Sequence, residues 1–385
     1  MKINIPVTNN EVDYPEDCNL LSTTNLKGAN KADFLLRHCP DGFTYVGDSN
    51  ADLKVWAVAK SAVVVSSSNM LARRAARVIP VERRFTVSDA GRAMLRIMRP
   101  HQWAKNALVF APLILAGMAN DGGVWLQAML AFAALSLLAS GTYVINDLFD
   151  LSEDRQHWSK RHRPVASGAL SIAHALVLCG SLLLAATALA ALAGPSVFLL
   201  LALYAVLTVS YSLALKRQPI TDAFVLATLF TLRLGVGIAA VGAEVSPWLL
   251  VFSMFLFGSL SLAKRYTEII RMGEHNRTSI AGRGYVAEDA VLVLAMGIAS
   301  GLAAIVIMVL YLIEDAFRAD FYSDPVWLWS FPTVLFLWIG RVWFVSHRGE
   351  LNDDPVAYAV KDRGSLVMGA IMACGFVAAV TGLNF

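Results

Sequence analysis

Charged residues are scarce in this sequence. Of its 385 residues, 16% are charged and 57% are hydrophobic, and the mean hydropathy is +0.57. Soluble proteins carry about 25% charged and about 45–50% apolar residues, so this composition excludes an ordinary water-soluble globule. It also excludes a disordered chain, which has far less apolar surface to bury. The sequence therefore predicts a protein of the lipid bilayer.

Cysteines are also few, and they show no pattern. Cys18, Cys39, Cys179 and Cys374 form no CxxC pair and predict neither a disulfide framework nor a zinc site. The first thirty residues are polar and lack the apolar run of a signal peptide. The net charge of +3 comes from 32 basic and 29 acidic residues and gives no indication of nucleic-acid binding.

Long apolar segments are abundant after Trp103. Residues 1–90 read as a small soluble α/β segment, whereas residues 91–385 read as a membrane domain. About 20 apolar residues cross a bilayer. We predict an all-α bundle of nine transmembrane helices, the first of them the shortest, over 104–119, 123–146, 172–193, 195–214, 220–241, 247–263, 287–312, 326–345 and 366–384.

Basic residues are distributed unequally between the two sides of these spans. The connections after the second, fourth, sixth and eighth spans are basic, whereas the alternate connections hold only Arg318 among several acids. By the positive-inside rule, the basic connections and the N-terminal segment face the cytoplasm, and Phe385 lies outside. We expect an integral protein of a bacterial inner membrane.

The second span ends in the motif NDLFDLSED, in which Asn146, Asp150 and Asp154 recur every four residues. On a helix this spacing forms one stripe, and neighbouring carboxylates at that spacing repel unless cations hold them. Mg²⁺ typically takes one or two carboxylates together with substrate phosphate oxygens, so the stripe predicts a magnesium site. The alternative is a solvated acidic helix end.

Basic residues stand close to this stripe and recur at the ends of other spans. Lys160 and Arg163 follow it within a dozen residues, and guanidinium groups suit phosphate oxygens, although basic loops also mark topology. Lys216 stands at an interface, where it either snorkels or reaches a phosphate. Lys264 and Arg265 precede a polar loop that is either a lid or an ordinary connection.

Arg233 is a basic residue deep inside a span. It lies eleven residues after Asp222, on the same helical face and about 16 Å away along the axis. A charge at that depth normally lines a polar cavity and marks a functional site, although a salt bridge between helices is an alternative.

NDLFDLSED followed by RPVASGALS, on a scaffold of nine helices, resembles the UbiA superfamily of intramembrane prenyltransferases over roughly residues 90–385. The resemblance implies a cavity in which two aspartate-rich motifs bind Mg²⁺ and a diphosphate. Asn146, Asp150 and Asp154 match the first motif, and Asp222 matches the start of the second. By this resemblance, these four residues hold the metal and the three aspartates are catalytic.

The second motif departs from the DxxxD pattern because position 226 is leucine. Five stretches resemble instead the decaprenyl-phosphate phosphoribosyltransferase branch: RPHQWAKN, which contains Lys105, YSLALK, Asp222 with Arg233, AKRYTE and DPVAYAVKDR. This likeness implies a phosphoribosyl diphosphate donor and a polyprenyl phosphate acceptor. Expected substrate ligands are Lys105, Lys160, Arg163, Lys216, Arg233, Lys264 and Arg265. Prenylation of an aromatic acceptor, or a transporter with Arg233 on an ion path, remain alternatives.

The N-terminal segment has a resemblance of its own. FTYVGDSNADLKVWAVAKSAVVV is similar to the C-terminal part of a haloacid dehalogenase-type phosphatase, with Asp48 and Asp52 at its acidic motif and Lys31 or Lys27 at its lysine motif. The nucleophile motif DxDxT is absent from the sequence, and without it no phospho-aspartyl intermediate forms. We therefore expect a phosphatase remnant without hydrolase activity.

Overall fold

The structure is a computed structural model that describes residues 28–66, 69–85, 90–156, 160–274, 283–351 and 355–382. The chain divides into two compact units, Met1–Asp89 and Ala90–Phe385. Lys27, the polar loop over 275–282 and Phe385 lie outside the described residues.

The first unit contains a small parallel sheet, which confirms the predicted α/β segment. Its strands β1, β2 and β3 pair in sequence order. A small core that includes Trp56, Ala62 and Val64 packs beneath the sheet. The elements run α1 (Ala29–His38), β1 (Thr44–Gly47), a 3₁₀ turn (Asn50–Asp52), α2 (Leu53–Trp56), β2 (Ser61–Val65), α3 (Asn69–Ala76) and β3 (Val81–Phe85).

The second unit is a helical bundle, which confirms the all-α membrane architecture. Eight of its described helical segments are long and apolar enough to cross a membrane. Its α-helices are α4 (Ala90–Met98), α5 (Ala111–Leu115), α6 (Gly122–Phe149), α7 (Leu151–Gln156), α8 (Ile172–Ala193), α9 (Pro195–Leu213), α10 (Thr221–Val241), α11 (Pro247–Glu274), α12 (Ala290–Glu314), α13 (Ser330–His347), α14 (Pro355–Lys361) and α15 (Arg363–Thr381). Its 3₁₀ helices are Pro100–Phe110, Lys160–His162, Leu215–Arg217, Ala287–Asp289, Ala316–Arg318 and Pro325–Trp329.

The first predicted span differs from the prediction. Instead of an α-helix over 104–119, the chain forms the 3₁₀ helix Pro100–Phe110 followed by the short helix α5. In a 3₁₀ helix residues three apart share a face, and Trp103 and Asn106 both face α6. Their side chains donate to Ser140 and Ser136, each over 3.0 Å. The two donors, three residues apart, match the two serines, four residues apart, because three residues of 3₁₀ helix and four of α-helix both rise about 6 Å.

This segment nevertheless runs from one end of the bundle to the other. At its start Arg99 contacts Asp147 in the last turn of α6, and at its end the Leu115 carbonyl accepts from Tyr322, which follows α12. A 3₁₀ helix rises faster than an α-helix, so Pro100–Leu115 covers about 30 Å, the thickness of the hydrocarbon core.

Helix α11 is longer than predicted. It continues through AKRYTE to Glu274, so Lys264, Arg265 and Glu268 lie on its last turns and not in a connecting loop. The end of α6, the start of α10 and the end of α11 meet at the same end of the bundle, and the candidate site lies there.

Candidate functional site

A cavity of about 310 Å³ opens between α6, α9, α10, α11 and the 3₁₀ helix Pro100–Phe110. No aspartate or glutamate of the described residues lines it. The basic side chains along its wall are Arg99, Lys105, Lys216, Arg233, Lys264, Arg265 and Arg283. Seven basic side chains around one small space can donate to several phosphate oxygens, so the cavity suits a ligand with several negative charges.

The structure brings five of the seven predicted substrate ligands to this cavity, and Asn146 with them. The five are Lys105, Lys216, Arg233, Lys264 and Arg265. The other two, Lys160 and Arg163, line a neighbouring cleft of about 640 Å³ that shares Arg99 with the cavity. Arg163 therefore lies beside the cavity and not on its wall.

Asp147 organises the basic residues next to the aspartate stripe. It is buried, and its Oδ1 lies 2.6 Å from Arg99 and 3.0 Å from Arg163. Arg163 also pairs with the buried Asp154 at 2.7 Å. Separating either arginine from Asp147 would leave the buried carboxylate with less compensation, which is costly. Asp147 therefore holds both arginines in place.

The aspartate stripe has oxygens that suit a metal ion. The Asn146 amide donates to Asp150 over 3.1 Å, so these two residues of the motif lie together. The buried oxygens Asp147 Oδ2 and Asp154 Oδ1 have no hydrogen-bond partner. Among the described residues no three His, Cys, Asp or Glu side chains form a complete metal site. One or two carboxylate oxygens with open positions fit Mg²⁺ that also binds a diphosphate.

Asp222 is fully engaged by protein groups. It is completely buried at the start of α10, and its Oδ2 lies 2.7 Å from Arg265 and 3.2 Å from Arg283. Its Oδ1 accepts from the Tyr285 hydroxyl over 2.6 Å. Arg265 also pairs with Glu268 at 2.5 Å. In the structure Asp222 holds two arginines at the cavity wall, and its role as a metal ligand stays a prediction.

The segment that carries Arg283 and Tyr285 is fixed against the connection before α10. The buried Tyr285 hydroxyl also accepts from the backbone N–H of Ile220, which has a φ of 66°, an uncommon backbone for a β-branched residue. A Cβ on Gly284 would meet the Arg217 carbonyl at 2.4 Å. Burial and Asp222 both raise the pKa of Tyr285, so its phenol remains a hydrogen-bond donor.

Arg233 lies in the middle of α10 and is 6% exposed. Its guanidinium donates to Asn106 (3.0 Å), Tyr204 (2.9 Å) and the Leu229 carbonyl (2.6 Å). It pairs with no carboxylate among the described residues. The alternative of a salt bridge between helices is therefore excluded within the part of the chain that the structure describes.

Sequence reasoning missed several residues of this site, chiefly Arg99, Asn106, Asp147, Tyr204 and Arg283 as wall or partner residues. Asp147 adjoins the metal motif, and Arg99 stands in the quoted stretch RPHQWAKN, so a local signal existed for both. Asn106 ends the same stretch, but its contacts with Arg233 and Ser136 depend on the 3₁₀ helix. Tyr204 stands in a long apolar run and gives no signal, because its role depends on an arginine of another helix.

The fold and the cavity together define a helical membrane protein with a basic cavity at one end of its bundle. The sequence profile of the UbiA prenyltransferase family matches residues 106–361. The chain belongs to this family and is an enzyme of the prenyltransferase class, which excludes the transporter alternative.

Several relatives are similar to the chain. An uncharacterized protein of Sinorhizobium fredii is 39% identical over 362 residues, covering 92% of this chain and 69% of the relative. Nodulation protein NoeC of Azorhizobium caulinodans is 35% identical, covering 72% of this chain and 90% of the relative. The decaprenyl-phosphate phosphoribosyltransferase of Corynebacterium glutamicum is 35% identical over 192 residues, which cover 48% of this chain and 56% of that enzyme.

A solved structure shares the fold. The UbiA homolog from Archaeoglobus fulgidus bound to GPP and Mg²⁺ superposes with a TM-score of 0.55 over 75% of this chain and 98% of that chain. The identity is 16%, so the likeness concerns the fold alone.

Proposed function

We propose that this enzyme transfers the phosphoribosyl group of 5-phosphoribosyl diphosphate to a polyprenyl phosphate at the cytoplasmic face of a bacterial inner membrane. The observation that carries the proposal is the cavity, whose wall, as far as the described residues form it, has seven basic side chains and no carboxylate. A phosphoribosyl donor carries three phosphates and the lipid acceptor a fourth, whereas prenyl diphosphate and an aromatic acid together carry two phosphates and one carboxylate. Phosphoribosyl transfer therefore brings more phosphate groups to the basic side chains of this wall.

Leu226 supports the same choice of substrates. It lines the cavity at the position where the DxxxD pattern has its second aspartate. An apolar side chain there removes one carboxylate ligand of the usual prenyl-diphosphate site. The similarity to the Corynebacterium glutamicum enzyme, which spans about half of that protein, points in the same direction.

The reaction requires one bond to form and one to break. A phosphate oxygen of the acceptor attacks C1 of the ribose, and the bond between C1 and the diphosphate oxygen breaks. Asn146, Asp150 and Asp154 would hold Mg²⁺, and the ion would supply counter-charge for the leaving diphosphate. Lys105, Lys216 and Lys264 orient the phosphates, and an ionised acceptor phosphate needs no general base.

Labelled donors test the proposal. Membranes that contain the full chain receive a polyprenyl phosphate with either 5-phosphoribosyl diphosphate or a prenyl diphosphate plus 4-hydroxybenzoate, and mass spectrometry identifies the lipid product. We expect product from the phosphoribosyl donor only. Product from the prenyl diphosphate only would instead establish aromatic prenylation.

The metal assignment has its own test. We expect chelation of divalent cations and the Asp150→Ala change each to lower product formation at least a hundredfold, because the leaving diphosphate would lose its counter-charge. Asp320→Ala, in the connection at the opposite end of the bundle, is the control and should keep full activity. Magnesium-dependent turnover that persists in Asp150→Ala would overturn the assignment of the metal site.

A further inference from the structure

The arginines at this end of the bundle differ in how their charge is compensated. Arg99 and Arg163 pair with Asp147 and Asp154. Arg265 and Arg283 share Asp222 and Glu268. Each cluster thus contains two arginines and two carboxylates, whose charges compensate one another. These four arginines therefore add little net charge to the site.

Arg233 is the exception among them. Its three partners among the described residues, Asn106, Tyr204 and the Leu229 carbonyl, are all neutral. The rings of Phe230 and Tyr204 lie 4.8 Å and 5.2 Å from its guanidinium carbon. A buried cation without a counter-charge is costly, and such groups in membrane segments normally face a partner or a polar cavity. An anionic ligand in the cavity that Arg233 lines would supply this counter-charge.

Hydrogen-bond donors remain available at this point of the wall. A guanidinium has five N–H donors, and three are used, which leaves one on each terminal nitrogen. The Tyr204 hydroxyl accepts from Arg233, and no described group accepts its own proton. Tyr204 and Arg233 both line the cavity. Three donors beside a net positive charge match the oxygens of a tetrahedral anion.

The pair is also held rigidly from behind. Asn106 is 2% exposed, accepts from Arg233 Nε, and donates to Ser136 on α6 over 3.0 Å. The guanidinium plane is thereby fixed by three elements, the 3₁₀ helix, α9 and α10. A preorganised donor set binds an anion without first losing side-chain freedom.

We propose that Arg233, Tyr204 and Asn106 form a subsite for a phosphate monoester, separate from the carboxylates that would hold the metal-bound diphosphate. Asn106 holds Arg233 and contacts α6 at Ser136, which lies ten residues, about 15 Å along the helix, before the first residue of the aspartate stripe, so a diphosphate at the stripe does not reach the subsite. The inference rests on the proposed function only for the source of the group, which is either the 5-phosphate of the donor or the phosphate of the lipid acceptor. Asn106 acts as a positioning residue.

Ligand-induced thermal stabilisation of the purified full chain in detergent tests the subsite without turnover. Chelator is present, so the metal site does not contribute. The probes are ribose 5-phosphate and farnesyl phosphate, with ribose and farnesol as the matched uncharged compounds. The variants are Arg233→Met and Tyr204→Phe, and the control is Arg217→Met, whose exposed side chain does not line the cavity.

We expect one of the two monoesters, and neither uncharged compound, to raise the melting temperature of the wild type and of Arg217→Met. Stabilisation by ribose 5-phosphate identifies the donor phosphate, and stabilisation by farnesyl phosphate identifies the acceptor phosphate. Arg233→Met should weaken that binding at least tenfold and Tyr204→Phe about fivefold, the value of one neutral hydrogen bond. If Arg233→Met does not fold, Tyr204→Phe decides alone.

Two results separate this inference from the proposed function. Monoester binding that depends on Arg233, in a protein that forms no phosphoribosyl lipid, keeps the subsite and overturns the proposed function. Phosphoribosyl transfer with unchanged KM values for both substrates in Arg233→Met and Tyr204→Phe keeps the function and overturns the subsite. Equal stabilisation of the wild type and both variants also overturns the subsite. The same holds if neither monoester stabilises any of the three proteins.

Discussion

At the scale of single residues, basic side chains that are adjacent in the sequence differ in whether they line the cavity. Lys216 and Arg217 are consecutive in the 3₁₀ turn Leu215–Arg217, but only Lys216 lines the cavity. Composition and topology treat the two alike, since both mark a basic connection. The direction in which each side chain leaves the turn therefore decides which of the two reaches the cavity.

This difference provides a matched pair of substitutions. We expect Lys216→Gln to raise the KM for the diphosphate donor about tenfold, because it removes a charge-assisted contact of about 1.5 kcal/mol. Arg217→Gln should change KM less than twofold. Steady-state kinetics in membranes, with expression checked by immunoblot, measures both, and equal effects would show that Lys216 acts only through the general surface charge.

At the scale of elements, the approach of α10 to the 3₁₀ helix Pro100–Phe110 places Arg233 beside Asn106. Gly237 permits that approach, since a Cβ there would meet the Val109 carbonyl oxygen at 2.3 Å. Gly235 lies two residues away on the same helix, and a Cβ there would meet nothing within 4 Å. The sequence predicts α10 well but shows neither its neighbour nor the distance between them.

Replacing each glycine by alanine tests this contact. We expect Gly237→Ala to destabilise the protein by about 1–3 kcal/mol, as overpacking does, and to lower activity because Asn106 and Arg233 separate. Gly235→Ala should leave both properties unchanged. Thermal unfolding in detergent and product formation report the two effects, and similar behaviour of the two variants would contradict the close packing.

The start of α15 is a second element whose stability depends on one side chain. Asp362 accepts from the backbone N–H of Ser365 over 2.8 Å and binds both Nε and a terminal nitrogen of Arg341. These hydrogen bonds, that from Arg341 foremost, hold the pKa of Asp362 well below its usual range. A carboxylate whose folded pKa is depressed stabilises the fold above its unfolded pKa of about 3.9 and loses that contribution as the pH falls further.

We therefore expect the melting temperature of the wild type to fall on acidification below about pH 4 more steeply than that of Asp362→Asn. Asparagine keeps the helix cap but has no charge to titrate. Asp362→Ala loses the cap as well and should be less stable than Asp362→Asn by about 1 kcal/mol at neutral pH. Parallel pH profiles for wild type and Asp362→Asn would show that the Arg341 pair contributes nothing measurable.

At the scale of the whole molecule, the two ends of the bundle differ in charge. The end with the cavity carries the basic connections, whereas the other end carries Glu314, Asp315, Asp320 and Asp324 with Arg318. Arg318 is largely neutralised there by Glu314, at 2.7 Å. By the positive-inside rule we expect the cavity end to face the cytoplasm, where the proposed soluble phosphorylated donor would be available.

Cysteine labelling tests this orientation. In a chain whose four cysteines are replaced by serine, Ser167→Cys lies in a basic connection and Ser323→Cys in an acidic one, and both positions are exposed. We expect a membrane-impermeant maleimide to label Ser323→Cys in intact spheroplasts and Ser167→Cys only after lysis. The reverse pattern would place the cavity on the outer face.

The sequence by itself determined the membrane class, the path of eight helices, the aspartate stripe and most of the basic wall, because these depend on composition, length and local spacing. Only the tertiary structure decided which charges compensate one another. Asp147, Asp222, Tyr204 and Asn106 take their roles from side chains that are 16 to 127 residues away in the chain. It also decided that the first crossing is a 3₁₀ helix, since that choice depends on register against α6. Arg233 was visible as an exception in the sequence, but only the structure shows that its neighbours among the described residues include no carboxylate.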